Sequence, residues 1–334
     1  MKQRIFYLDF LRATACLAVI LMHSPQPYSA NGMVLSTISL LCAPCIGLFL
    51  MVSGALLLPV KQPTAGFLKR RMTRIVAPVL LWSVINIVVD HYKKADIVVL
   101  LRSLISLPFT NSANGIFWFI YTIAGLYLVA PVISPWLQKV SKREIKCFLG
   151  LWAVTLCYPI IGLFADINES NSGTLYYFTG YAGYFVLGYY LHNYAHQWNN
   201  AIIAALFAVP LMIAVMCKLS YVEVDFYKQF WYLSITVASM SAAVFMAAKK
   251  FFGGKQPSTH WAKITVDFSK CSFGIYLVHA LILQKIVWRL NLCVIPNGGG
   301  IIETFAATTL ASYAAVYLLS YLPSAEHIVG YRRR

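Results

Sequence analysis

The chain has 334 residues, 60% hydrophobic and 11% charged, with 27 Lys and Arg against 11 Asp and Glu and a formal net charge of +16. Soluble globular chains carry about 25% charged residues. A mean hydropathy of +0.69 therefore excludes a soluble enzyme and makes nucleic-acid binding a poor explanation of the basic excess.

Apolar runs recur along the whole length, and ten membrane spans are expected: 8–24, 34–59, 75–92, 113–131, 146–164, 175–192, 199–217, 230–248, 271–290 and 301–322. Most approach the ~20 residues that cross ~30 Å of hydrocarbon. The longest, 34–59, must tilt or extend past the bilayer. The sixth is short and carries Gly180, Gly183 and Gly188. With the N-terminus inside, cytoplasmic segments hold twenty of the 27 basic residues, while seven of the eleven acids lie outside. That asymmetry fits the positive-inside rule with both termini cytoplasmic, and attraction to anionic lipid follows as a secondary effect. The first span carries Asp9 and Arg12 and lacks a small-residue cleavage site, so a retained helix is expected, not a signal peptide. The expected fold is an all-α membrane protein of about ten transmembrane helices. Residues 1–334 are expected to form one integral-membrane domain without a soluble extension, the longest polar stretch being an inner loop at 249–270.

Arg12 and His23 come first among the polar residues that look out of place. Eleven residues at 100° each return to within about 20° of the starting direction and climb about 16 Å, so both lie on one helix stripe. An ionisable group inside a membrane helix is costly and marks function by default. The alternative is an arginine that snorkels and a histidine near the headgroups. Asp9, three residues before Arg12, is expected to pair with it.

Cys42 and Cys45 form a C-x-x-C spacing open to redox or metal chemistry, but buried Cys also packs as a small hydrophobe. Ser53-Gly54 permits either close helix approach or backbone exposure to a ligand. Arg71 and Arg74 are i, i+3 neighbours, suited to bidentate grip on phosphate, although a topology anchor needs only charge. Trp118 and Tyr121 fit either an interfacial belt or a site. Tyr276 and His279, three apart in an apolar run, suit either a structural or a chemical histidine. His91, His192, His196, His260 and His327 fall near span ends and are expected to be solvated.

A basic mouth at Arg12, Arg71 and Arg74 with an imidazole deeper in the membrane suits a long ligand with an anionic head and a reactive tail. Coenzyme A has that form, and neutral histidine is the usual proton acceptor at physiological pH. A transporter would use the same arginines.

Taken in order, Arg12-x10-His23 within Tyr-Leu-Asp-Phe-Leu-Arg, Phe-Leu-Met-Val-Ser-Gly-Ala-Leu-Leu, Arg-Met-Thr-Arg-Ile-Val-Ala-Pro, Phe-Trp-Phe-Ile-Tyr and Gly-Ile-Tyr-Leu-Val-His resemble acyltransferase family 3. The nearest likeness is to its short members that O-acetylate enterobacterial common antigen and O-antigen. The resemblance implies a ten-helix fold, acetyl-CoA as donor without a metal, and a surface polysaccharide or lipid-linked glycan as acceptor at the bacterial inner membrane. It implies His23 as general base or acyl carrier, oriented by Arg12, or Arg12 as a CoA ligand. Arg71 and Arg74 match the family's Arg-x-x-Arg; Ser53, Trp118, Tyr276 and His279 fall in its other motifs as donor-binding residues. A succinyl-transferring relative would share these motifs. Ala77-Pro78 departs from the Pro-Pro or Pro-Tyr that often follows Arg-x-x-Arg, which bears on the helix angle and not on the arginines.

Overall fold

In the computed structural model, residues 4–25, 32–91, 97–107, 115–162, 165, 180–195, 198–219, 230–254, 259–289 and 300–333 are described. Among them the secondary structure is helical, with no strand. The helices are α1 (Phe6–His23), α2 (Gly32–Cys42), α3 (Pro44–Leu57), α4 (Thr64–His91), α5 (Ile97–Ser106), α6 (Trp118–Lys139) and α7 (Lys142–Thr155). They continue as α8 (Tyr158–Ile161), α9 (Ala182–Asn193), α10 (Asn200–Leu219), α11 (Ile235–Phe252), α12 (His260–Ile282), α13 (Ile301–Leu319) and α14 (Ala325–Ile328). Nine segments among the described residues are long and apolar enough to cross a membrane. The expected sixth span is described from residue 180, where it forms the 12-residue α9.

The chain divides into two compact units, residues 1–59 with 133–269 and residues 60–132 with 270–334.

The first unit is organised around α3, which packs against α1, α2, α9 and α11. Its apolar residues run right round the helix, which suits an element enclosed on all sides, and Pro44 through Met51 are almost continuously buried. Glycines set the spacing to α9. A Cβ on Gly54 would lie 1.8 Å from the Phe185 carbonyl oxygen, and one on Gly188 would lie 2.0 Å from that of Met51. Without a hydrophobic driving force in lipid, such backbone proximity is how helices gain dispersion energy. Gly54 therefore serves close approach.

Three expectations change in this unit. The span 34–59 is one apolar crossing at Leu35–Leu57, with its hydrogen-bond ladder interrupted at Ala43, because Pro44 lacks an N–H and starts a new first turn. Asp9 pairs with Arg4, not Arg12: the Arg4 Nε and Nη2 donate to its two oxygens at 2.8 and 2.7 Å, and Ser269 Oγ adds a bond at 2.8 Å. Arg4 stands before the first helical turn, where extended Ile5 lets it fold back over the carboxylate. His192 is half-buried at the end of α9 and hydrogen-bonded to the Tyr7 hydroxyl. Beside it the Lys249 ammonium caps α9, donating to the carbonyls of Leu191, His192 and Ala195 at 2.7–2.9 Å. Cys42 and Cys45 are buried free thiols at the α2–α3 break.

The second unit contains α4, α5, α13, α14 and the adjoining parts of α6 and α12. The α4 helix begins at Thr64, so Lys69 to Arg74 form its first turns, and Pro78 lies inside it. The α12 helix likewise begins at His260, replacing much of the expected 249–270 loop, and ends in a π-helical turn at Leu283–Val287. The α13 helix is inverted relative to one in water. Ile302, Leu310 and Leu318 are 76%, 68% and 68% exposed, whereas Thr304, Thr308 and Ser312 are buried. Lipid-facing apolar residues and inward hydroxyls are what a bilayer demands. The Trp82 indole donates to the Ile328 carbonyl at 2.9 Å, and a Cβ on Gly330 would lie 2.5 Å from Phe273 and 3.5 Å from the Arg74 carbonyl oxygen. The C-terminal segment is thereby held against α4 and α12.

Candidate functional site

The first unit carries Arg12, His23 and Ser53. Arg12 and His23 are both half-buried on α1, and the uninterrupted helix from Phe6 to His23 keeps them on one stripe about 16 Å apart. His23 Nδ1 lies 2.8 Å from the Val19 carbonyl oxygen. A carbonyl only accepts, so Nδ1 carries the hydrogen and neutral His23 presents its lone pair on Nε2. The backbone of its own helix thus selects the tautomer a proton acceptor needs. Ser53 is buried one residue from the Gly54 crossing.

The second unit carries the other five residues. Arg71 and Arg74 share the first turns of α4 but differ in environment. The Arg71 guanidinium lies 5.8 Å from the ring centroids of both Phe67 and Tyr127. Its Nε is buried without a hydrogen-bond partner among the described residues. Arg74 is exposed. The sequence predicts a pair of neighbouring cations; the structure makes Arg71 a half-buried, ring-flanked group with capacity for an anion.

Further along, aromatic contacts connect the remaining three. Trp118 meets Phe119 edge-on at 6.3 Å, Phe119 meets Tyr276 at 5.4 Å, and Tyr276 meets His279 at 5.6 Å. The Tyr276 hydroxyl donates to the Ile116 carbonyl. His279 is fully buried, and its Nδ1 donates to the Tyr276 carbonyl at 2.7 Å, so it too presents Nε2 as the acceptor. Tyr121 donates to the Leu107 carbonyl at 2.6 Å, tying α6 to the end of α5. Each unit therefore holds a cation and a histidine of defined tautomer.

Sequence reading passed over the Arg4–Asp9–Ser269 tie, the Lys249 cap and the buried hydroxyls Ser83, Thr308 and Ser312. The last had a signal. Thr304, Thr308 and Ser312 recur every four residues on a span whose other positions are mostly apolar.

These helices, with lipid-facing apolar surfaces and inward polar groups, define an all-α polytopic membrane protein. Residues 5–324 match the family described as "Acyltransferase domain". The chain belongs to acyltransferase family 3 and is a membrane acyltransferase. No curated protein and no solved structure matches it.

Proposed function

We propose that the chain moves an acetyl group from cytoplasmic acetyl-CoA to a hydroxyl of a cell-surface polysaccharide, or its lipid-linked precursor, at a bacterial inner membrane. The observation that carries this reading is His23. Its Nδ1–H is held by the Val19 carbonyl at 2.8 Å, and its helix stripe also bears Arg12. Nε2 accepts the proton of the sugar hydroxyl as that oxygen attacks the thioester carbon. The C–S bond breaks, an O-acetyl ester forms, and the proton passes from Nε2 to the CoA thiolate. Arg12, about 16 Å from His23 along α1, is too far to touch it and binds the donor. Arg71, with its enclosed guanidinium, and Arg74 bind CoA phosphates. Ser53, Trp118, Tyr276 and His279 contribute to holding the donor.

Purified protein in lipid nanodiscs, given acetyl-CoA and membrane polysaccharide, tests this reading. Wild type releases CoA thiol and forms O-acetyl ester in equal amounts, and His23→Ala does neither. Solute movement without CoA release would replace the enzyme with a transporter. Radiolabelled acetyl-CoA without acceptor separates two routes: label retained on wild type but lost in His23→Ala would establish an acetyl-histidine and overturn direct transfer. Succinyl-CoA in the same assay distinguishes the acyl group.

A further inference from the structure

The last residues of the second unit turn back toward the helix they have just left. After α13 ends, α14 packs on α4, and the Trp82 indole donates to the Ile328 carbonyl at 2.9 Å. Gly330, at φ 71°, then reverses the backbone against Phe273 and the Arg74 carbonyl. Three residues later the Arg333 N–H donates to the Ser320 carbonyl at the end of α13, at 2.8 Å. The Arg333 guanidinium comes to rest 4.1 Å from the centroid of the Tyr317 ring and 5.8 Å from that of Tyr321. The Tyr321 hydroxyl donates to the Tyr317 hydroxyl at 3.0 Å, which joins the two rings into one platform.

The ordinary explanations each cover only part of this arrangement. Closing the end of α13 needs a backbone N–H, which any residue except proline supplies. A charge that complements the helix C-terminus, or that anchors topology, would be served by lysine. A snorkelling arginine grows out of its own span toward water. Arg333 does the reverse: the chain leaves the span first, and the side chain is then brought back onto rings at the end of that span. Stacking uses the face of the planar guanidinium, and an anion takes its edge.

The surface on one side of the platform faces lipid. Leu310, Leu318, Tyr321 and Leu322 are exposed along α13 and just past its end. On the other side the charge is positive. Arg332 is exposed next to Arg333, and Lys69, Arg70 and Arg74 are exposed in the first turns of α4, which Gly330 joins to this segment. Among the described residues of this unit the acids are Asp90, Glu303 and Glu326. Asp90 stands at the opposite end of α4 and Glu303 at the opposite end of α13. That leaves Glu326 on α14 as the carboxylate described at this end, against five cations.

A fixed cation between an apolar outer surface and a basic rim suits an amphiphile with an anionic head. We propose that Arg333, held on the Tyr317–Tyr321 platform, binds with Arg332 the phosphodiester of an anionic phospholipid whose acyl chains lie along the exposed leucines of α13. Lys69, Arg70 and Arg74 supply the positive potential that draws the head group in. The lipid occupies one defined place, unlike the diffuse attraction that any basic membrane face exerts. The site uses no residue assigned to acyl transfer as a ligand, so it stands or falls apart from the acyl-CoA reading.

Native mass spectrometry of the full chain, titrated with phosphatidylglycerol in detergent micelles, tests the site. Wild type is expected to retain phosphatidylglycerol in preference to zwitterionic phosphatidylcholine, and not to retain glycerophosphoglycerol, the same head without acyl chains. Arg333→Gln is expected to weaken phosphatidylglycerol binding about tenfold or more, the loss for a charge-assisted bond. Tyr321→Leu removes one ring of the platform at an exposed position and keeps the surface apolar, so a loss of about threefold is expected even if Arg333→Gln fails to fold. Lys146→Gln, an exposed cation on α7, is expected to leave binding unchanged. Equal losses for Lys146→Gln and Arg333→Gln, or equal retention of the two lipids, would reduce the site to diffuse charge and overturn it. Retention of the head alone, or displacement of the lipid by acetyl-CoA, would assign Arg333 to a soluble phosphate ligand and overturn it equally.

Discussion

Replacing Gly54 with alanine sets a methyl group against backbone. The added Cβ would lie 1.8 Å from the Phe185 carbonyl oxygen and 2.7 Å from its carbon. Ordinary contact begins near 3.4 Å, so α3 and α9 must part by roughly 1.6 Å at this crossing. Neither obstacle is a flexible side chain, and the reciprocal contact at Gly188, 2.0 Å from the Met51 oxygen, blocks an easy slide. A gap of 0.5–1 Å already forfeits about a quarter to a half of each dispersion contact. The cost should thus reach the upper end of the overpacking range, about 3 kcal/mol. At about 2–4 °C per kcal/mol, the melting temperature falls by about 6–12 °C. Thermal unfolding in nanodiscs, followed by tryptophan emission, measures it. Gly150→Ala is the control, because its Cβ meets nothing within 4 Å on exposed α7, and alanine there should add up to about 1 kcal/mol of helix propensity. If Gly54→Ala melts with Gly150→Ala, α3 and α9 do not approach this closely.

Arg71→Ala should weaken CoA binding about tenfold or more and Arg74→Ala by less, since Arg71 is the enclosed guanidinium and charge-assisted bonds contribute about 1.5–3 kcal/mol; titration calorimetry with equal losses would reject that ranking. His23→Ala should leave this affinity close to wild type, and a loss matching that of Arg71→Ala would make His23 a donor ligand. Arg4→Ala removes the ion pair from a carboxylate that is 6% exposed. Because Arg4 itself is 44% exposed, a discounted cost of about 1–2 kcal/mol is expected. An unchanged melting temperature would show that Ser269 alone suffices for Asp9.

Hydropathy placed the long helices because lipid requires an apolar surface and an internally bonded backbone. It misplaced their ends where charged residues continue a helix past the apolar run, as at Lys69–Arg74 and His260–Lys270. Helical periodicity joined Arg12 to His23 correctly on one helix but assigned Asp9 the wrong cation, since Arg4 approaches from an extended segment with no helical spacing. The Arg71–Arg74 pair was visible as a pattern; the rings of Phe67 and Tyr127, which enclose one arginine and not the other, depend on packing. His23 stood out as an ionisable residue in an apolar run, but its tautomer needed the Val19 carbonyl. The hydroxyls of α13 recur every four residues in the sequence, but their burial depends on packing.

The tie on Asp9 also orders events during synthesis. Arg4 is five residues away, so the pair forms as soon as the first helical turn does. Ser269 is 260 residues downstream, and at about 5–20 residues per second it emerges roughly 13–52 s later. Through that interval Arg4 is the nearby cation that lowers the cost of holding a carboxylate at the membrane. Ser269 then replaces hydration around the finished pair. Arg4 acts first as an insertion escort and afterwards as a clasp, closed only once Ser269 has been made.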